Sequence, residues 1–166
     1  MEVRQLQYND AEIYLKIRLE GLQNSPTGFA SSYEEEKKQT AEKYQKRFAS
    51  PETSFTFGAF ENTELVGVIT LVKEPLFKLR HRSKLVAMYV KPDQRGKGIG
   101  KALLLKAIEK AKSIEGLEQI YLTVVDTNAF AKRLYTSIGF EVCGTEKRSL
   151  KDGNTYHDAE HMVLFL

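Results

Sequence analysis

The residues whose types and spacing best suit chemistry are Val90-Lys91-Pro92-Asp93-Gln94-Arg95-Gly96-Lys97-Gly98-Ile99-Gly100-Lys101-Ala102, which lead from an apolar strand through a glycine-rich turn into an amphipathic helix. Glycines at alternate positions allow positive φ and leave no side chains between turn and ligand, while the first N–H groups of the helix stay unpaired. The helix dipole and the charges of Arg95, Lys97 and Lys101 favour an anion, so the expected ligand carries phosphate or pyrophosphate. A Walker loop requires G-x-x-x-x-G-K-[ST], but Arg95 stands where its first glycine belongs and Ala102 where its hydroxyl belongs. Gly96, Gly98 and Gly100 give G-x-G-x-G, so the dinucleotide fingerprint G-x-G-x-x-G does not fit either. The bland alternative is a β-to-α turn with solvated basic residues, at the entropic cost of three glycines.

The elements that must position this turn follow from periodicity. Glu2 to Leu6 alternates as a short strand, and Asn9 with Glu12 suggests a capping box opening a helix through Gln23, with Ala11, Leu15, Leu19 and Leu22 on its apolar face. Thr27 to Tyr33 is an aromatic and hydroxyl-bearing loop, Glu34 to Lys38 a charge run expected to be solvated, and Thr40 caps a short helix stopping at Ser50-Pro51. Phe55–Phe60 and Leu65–Val72 predict an antiparallel hairpin about Glu61–Glu64. A basic connector from Lys78 to Lys84 then precedes the strand Leu85–Val90. The helix after the turn carries Ile99, Leu103, Ala107 and Ala111 at i,i+4 spacing, with Leu104 and Ile108 beside them. Glu118–Val125 is a β-branched strand expected parallel to Leu85–Val90. Thr127 or Asn128 opens a further helix packed through Phe130, Leu134 and Ile138 and stopped by Gly139. Two strands, Phe140–Thr145 and Tyr156–Phe165, flank a loop containing Lys151-Asp152-Gly153-Asn154.

Gln94-Arg95-Gly96-Lys97-Gly98-Ile99-Gly100 matches [QR]-x-x-G-x-[GA], and Asn128 to Phe140 reads N-x-x-A-x-x-x-Y-x-x-x-G-F. In this order, and in their strand-turn-helix and helix settings, the two stretches resemble the signatures of the GNAT superfamily of acetyl-CoA-dependent N-acetyltransferases. The likeness covers most of the chain, the N-terminal third in layout more than in residues. It implies an α/β (α+β) fold: a mixed, mostly antiparallel sheet of six to seven strands with helices on both faces, splayed between the fourth and fifth strands. It further implies that the backbone of Met88, Tyr89 and Val90 pairs with the pantetheine arm of acetyl-CoA. The N–H groups of Arg95, Gly96, Lys97, Gly98, Ile99, Gly100 and Lys101 would hold the pyrophosphate, and Asn128 would bond the pantetheine. Tyr135 would be the general acid near the sulfur, a reasonable role because a thiolate leaves when an amine attacks a thioester. Tyr135 as a plain core aromatic is the alternative. Phe29, Ser32 and Tyr33, in the loop between the first helices, would line the acceptor site. The family's frequent glutamate before the glycine turn is replaced by Ser83-Lys84-Leu85, leaving Glu34, Glu35, His81, His157 or a water chain as candidate bases. For each of the four residues, plain surface placement is the competing reading.

Composition sets the bounds. The 166 residues suit a single domain, 1–166, and a net charge of +3 is too small to imply nucleic-acid binding. The absence of a long apolar run or leader pattern leads to the expectation of a cytoplasmic protein without a membrane partner. A single cysteine, Cys143, excludes an internal disulfide, argues against structural zinc and is expected to be buried in a strand. No metal is expected. The function these readings imply is direct acetyl transfer in a ternary complex to a primary amine, a small molecule or amino-acid derivative. Alternatives are a protein or peptide acceptor, or a non-catalytic acyl-CoA-binding module. Arg80, His81, Arg82 and Lys84 either hold a carboxylate or phosphate on the acceptor or face solvent. The strand ending at Leu166 is either interior or part of a homodimer contact.

Overall fold

The computed structural model describes residues 1–50 and 52–166, so the expected helix stop at Pro51 lies outside the described residues. Seven strands form one sheet in the order β1-β2-β3-β4-β5-β7-β6. The strands are β1 (Glu2–Gln5), β2 (Ser54–Glu61), β3 (Glu64–Lys73), β4 (Arg82–Val90), β5 (Gln119–Val125), β6 (Glu141–Asp152) and β7 (Thr155–Phe165). All neighbours are antiparallel except β4 and β5. Helices α1 (Ala11–Asn24), α2 (Tyr33–Glu36) and α3 (Ala41–Ala49) belong to one face, and α4 (Ile99–Lys112) and α5 (Ala129–Ile138) to the other.

The central strands are covered on both sides, which is why their sequences are almost continuously apolar. Phe57, Val66, Ile69, Leu103, Leu104 and Ile108 build the core under α4, while Tyr14, Ile17, Tyr44, Phe48, Leu65 and Val68 build a second core under α1 and α3. The i,i+4 stripe of α4 is buried as its periodicity requires.

The parallel pair is short. Only Arg82, Ser83 and Lys84 pair with β5, opposite Gln119, Ile120 and Tyr121. Beyond them the strands diverge, leaving the β4 edge from Leu85 to Val90 without a β5 partner. The same stretch contains a bulge: Val86 pairs with Thr70 and Tyr89 with Val68, so Ala87 and Met88 together face Ile69. Ala87 has φ of 54°, a left-handed value costly for a residue with a Cβ.

Several expectations need correction. The capping box lies earlier than Asn9 and Glu12: the Asp10 carboxylate accepts from the Gln7 N–H at 2.7 Å about the 3-10 turn Tyr8–Asp10 that leads into α1. Tyr14, Ile17 and Gly21 are buried on α1, whereas Leu15 and Leu19 are only half-buried, because tertiary packing rotates the buried face. Glu36 of the presumed solvated run is buried against Tyr44 and Lys43. Arg82 to Lys84 are strand rather than connector. Phe130 is exposed, and buried Tyr135 takes its place in the packed face of α5. Cys143 is exposed on β6, the edge strand of the sheet, where Glu141, Val142 and Cys143 are all exposed. Lys151 and Asp152 belong to β6, so the expected loop is a tight turn at Gly153-Asn154. Of the two readings of the strand before Leu166, the interior one matches its place in the sheet, β7 lying between β5 and β6.

Candidate active site

The divergence of β4 and β5 opens a cleft of about 1900 Å³ that runs from the N-terminus of α4 to the loop and helices between α1 and α3. At one end is the glycine turn. Gly96 and Gly98 have φ of 78° and 81°, and a Cβ built on either would meet nothing within 4 Å. Open space above a left-handed backbone beside the first N–H groups of a 14-residue helix fits a pyrophosphate. Gly100 serves differently: it is inside α4, and a Cβ there would lie 3.2 Å from Met88 Cε and 3.3 Å from Leu134 Cδ2. Its smallness lets α4 sit close to β4 and α5. Thus two of the three glycines supply positive φ, and the third supplies packing.

The charges around the turn are arranged unequally. Arg95 folds back, donating from Nε to the Val90 carbonyl at 3.0 Å, and its guanidinium lies 5.8 Å from the Tyr89 ring centre. Lys97 donates to Gln94 at 2.9 Å and does not line the cleft, whereas Lys101 does. The carrier strand is fixed from behind: the Tyr89 hydroxyl donates to Glu20 at 2.9 Å and accepts from Asn24 at 3.1 Å, with burial the first cause raising its pKa. Gly21 permits this close approach, since a Cβ there would lie 3.1 Å from Tyr89 Cγ.

Met88, Tyr89, Val90 and Ile99 line the cleft, as do Asn128 and Tyr135 across from them. Asn128 caps α5, its Oδ1 accepting from the Ala131 N–H at 3.1 Å, which leaves its amide nitrogen to donate. Tyr135 is packed by its ring and turned to the cleft by its hydroxyl. Its ring belongs to the core, 5.9 Å from Phe140, while its hydroxyl donates to Met88 Sδ at 3.3 Å. Burial pushes its phenol up to about 12. Since a thioether is a weak acceptor, this hydroxyl gives up little in turning to a better one.

At the acceptor end Phe29 lines the cleft but Ser32 and Tyr33 do not. Ser32 caps α2 in a capping box with Glu35, and the Tyr33 ring is covered by Lys37 at 5.7 Å. None of Glu34, Glu35, His81 and His157 reaches the cleft. Glu34 is paired with Lys37, and Glu35 is held by Ser32, whose N–H is the first cause lowering its pKa.

The wall instead contains residues that sequence reasoning missed: Tyr14, Arg18, Glu36, Tyr44, Arg47, Thr123 and His161. His161 of β7 sits opposite Thr123 of β5 in the register. Its Nδ1 is 3.0 Å from Thr123 Oγ1, and its Nε2 is 3.2 Å from Glu146 Oε2. With Nε2 donating to Glu146, Nδ1 is left as an acceptor for the threonine hydroxyl, a carboxylate-imidazole-hydroxyl relay. The only local hint was Tyr121-Thr123-Val125, the strand face opposite buried Ile120, Leu122 and Val124.

Comparisons agree with this geometry. The description "Acetyltransferase (GNAT) family" matches residues 19–140. A spermidine N(1)-acetyltransferase of Thermoplasma acidophilum is 30% identical over 156 residues, covering 88% of this chain and 91% of that protein. An L-methionine sulfoximine/L-methionine sulfone acetyltransferase of Pseudomonas aeruginosa is 40% identical over 58 residues, 35% of this chain and 33% of that protein. The fold is shared by a GNAT-family acetyltransferase of Streptococcus pneumoniae, with a TM-score of 0.87 at 24% identity over 99% of both chains. It is shared too by an acetyltransferase of Salmonella typhimurium solved with its cofactor acetyl-CoA, with a TM-score of 0.85 at 19% identity over 100% of this chain and 94% of that one. A phosphate-ready turn, a splayed parallel pair and a tyrosine facing it across the cleft, together with a family match over most of the chain, make this protein a member of the GNAT acetyltransferase family.

Proposed function

We propose that this chain acts as one N-acetyltransferase domain that moves an acetyl group from acetyl-CoA to a small primary amine by direct attack. The observation that carries this reading is that the open turn at Gly96 and Gly98, the unpaired edge of β4 and the Tyr135 hydroxyl all face one continuous cleft. When bound, acetyl-CoA supplies an activated acyl group as a thioester. The N–H groups from Arg95 to Lys101 hold its pyrophosphate, with Lys101 adding charge. The β4 edge from Met88 to Val90 receives its extended amide arm as an added strand would be received, and Asn128 donates to that arm from the other side. The bulge at Ala87 and Met88 frees backbone N–H groups from regular pairing with β3, and one of these polarises the carbonyl under attack.

The height of the Tyr135 pKa refines its role. With its phenol pushed up to about 12 by burial, Tyr135 stays protonated and is a standing hydrogen-bond donor for the departing sulfur. Tyr135 therefore donates a hydrogen bond that stabilises negative charge growing on sulfur and, as general acid, passes its proton to the thiolate. On the other side of the reaction, Thr123 receives a proton from the acceptor ammonium while passing its own to His161, which Glu146 orients.

A small acceptor is supported by a wall of inward side chains from α1 to α3. A peptide acceptor and a non-catalytic acyl-CoA module remain the competing outcomes. The test is thermal unfolding with acetyl-CoA, CoA, ATP and NAD, followed by amine-dependent release of CoA. The expected result is stabilisation by the two CoA forms alone, about 2.7 kcal/mol at 100 times the dissociation constant, and thiol release with small amines. Stabilisation without turnover by any amine or peptide would instead support a binding module.

A further inference from the structure

The acceptor end of the cleft is unusually rich in uncompensated positive charge. Leaving aside Arg95 and Lys101 of the phosphate turn, its lining contains Arg18, Lys43, Arg47, Arg82 and Lys84, and Glu36 as its one carboxylate. Glu36 is already committed: it is 5% exposed and accepts from both Lys43 and Tyr44. Lys84 is paired with Glu74 at 2.8 Å, outside the cleft lining. Among the described residues, none of the three arginines has a carboxylate partner.

The three differ in how much of their donor capacity is spent. Arg47 is a brace: its Nη2 donates to Tyr14 at 3.2 Å and Thr56 at 3.0 Å, and the rings of Tyr14, Tyr44 and Phe48 surround it. Arg82 is stacked 4.0 Å from the Tyr121 ring centre at the paired end of β4 and β5, with Nε buried and unbonded. Arg18, like Arg82, has most of its donors unspent. Its guanidinium lies over Phe29, its single side-chain bond is a long one of 3.4 Å to Ser31, and Nη1 is buried without a partner. A charge withdrawn from water needs a counter-charge, and the planar fork of arginine matches an oxyanion in shape.

From this geometry we infer that the acceptor is an amine that also carries an oxyanion, a carboxylate or phosphate, held by Arg18, with Arg82 a second unspent cation on the same cleft wall. The inference rests on the acetyltransferase reading and sharpens it. It also sets this chain apart from the spermidine acetyltransferases it resembles, because a polyamine would bring several positive charges to a wall with one already-bonded carboxylate.

The experiment compares matched acceptors: 4-aminobutanoate with butylamine, leucine with leucinamide, O-phosphoethanolamine with ethanolamine, and spermidine alone. The expected result is that one anionic class exceeds its uncharged counterpart in kcat/KM by about 10- to 100-fold, the size of one charge-assisted contact. Whether a carboxylate or the phosphate leads identifies the oxyanion. Arg18→Gln is expected to raise KM for that acceptor and close most of the gap, with KM for acetyl-CoA unchanged; Arg18→Lys should restore part of it. Preference for spermidine, or an equal loss for both members of a pair, overturns the inference. If no amine is acetylated, thermal stabilisation of the CoA-saturated protein by the same anionic compounds, lost in Arg18→Gln, still supports the oxyanion site. Its absence refutes the site separately from the activity.

Discussion

The two ends of the cleft are built from different materials. At the cofactor end the recognising groups are backbone: positive φ at Gly96 and Gly98, a helix N-terminus, and an unpaired strand edge. At the acceptor end they are side chains brought from α1, α3, β4, β5 and β7, held by buried aromatic packing and by bonds such as Arg47 to Thr56. A backbone site demands particular residues in a row and tolerates little else. A side-chain wall can be assembled from segments far apart, with each residue locally unremarkable. The first serves a ligand common to a whole family, and the second can vary with the acceptor.

Mutations should separate the two ends. The largest expected effect is at their junction: Tyr135→Phe should lower kcat by about 100-fold while leaving CoA-induced stabilisation unchanged, because it removes a donor needed only as charge develops. Equal rates for variant and wild type would assign Tyr135 to the core alone. Next, Gly98→Ala should weaken acetyl-CoA binding by at least about 10-fold through left-handed strain of ~1–2 kcal/mol and occupation of the cradle. Its acceptor preference should not move, and titration calorimetry with CoA checks the first half of that statement. At the acceptor end, His161→Gln should reduce kcat/KM by about 10-fold with little change in CoA affinity. Equal kcat/KM for variant and wild type would remove the relay.

The smallest effect concerns the support of the acceptor wall. Asp10 stands before α1 and accepts two bonds from Arg4, at 2.7 and 2.9 Å. The Arg4 guanidinium is the first cause holding its carboxyl below the usual range. A carboxylate lowered in the folded state contributes stability above its unfolded value near 3.9, and that contribution fades as pH falls through the lower folded value. Asp10→Asn should therefore cost about 1–2 kcal/mol at pH 7, with the deficit shrinking in strong acid. Urea unfolding midpoints at several pH values would show it, and a deficit independent of pH would point to packing instead.

The cofactor half was legible because its requirements are local. G-x-G-x-G before an amphipathic helix, followed by Asn128 and Tyr135 in a second helix, already implied the strand-helix-strand unit and the phosphate turn. The acceptor half was not. Ser32, Tyr33 and Glu35 offered suitable chemistry but are occupied in capping or surface pairing, while Glu36, one residue on, turns into the core.

By itself the sequence determined the family, the order of elements, the two covered sheet faces and the place of the glycine turn, because periodicity and glycine positions act over a few residues. Tertiary structure alone decided that β4 and β5 part after Lys84 and Tyr121, that Gly100 is for packing, and that Arg18, Thr123 and His161 border the cleft. The physical reason is that strand register and helix rotation are settled by burial summed over the whole sheet. Only after those are fixed does a lone arginine or histidine acquire neighbours that make it part of a site.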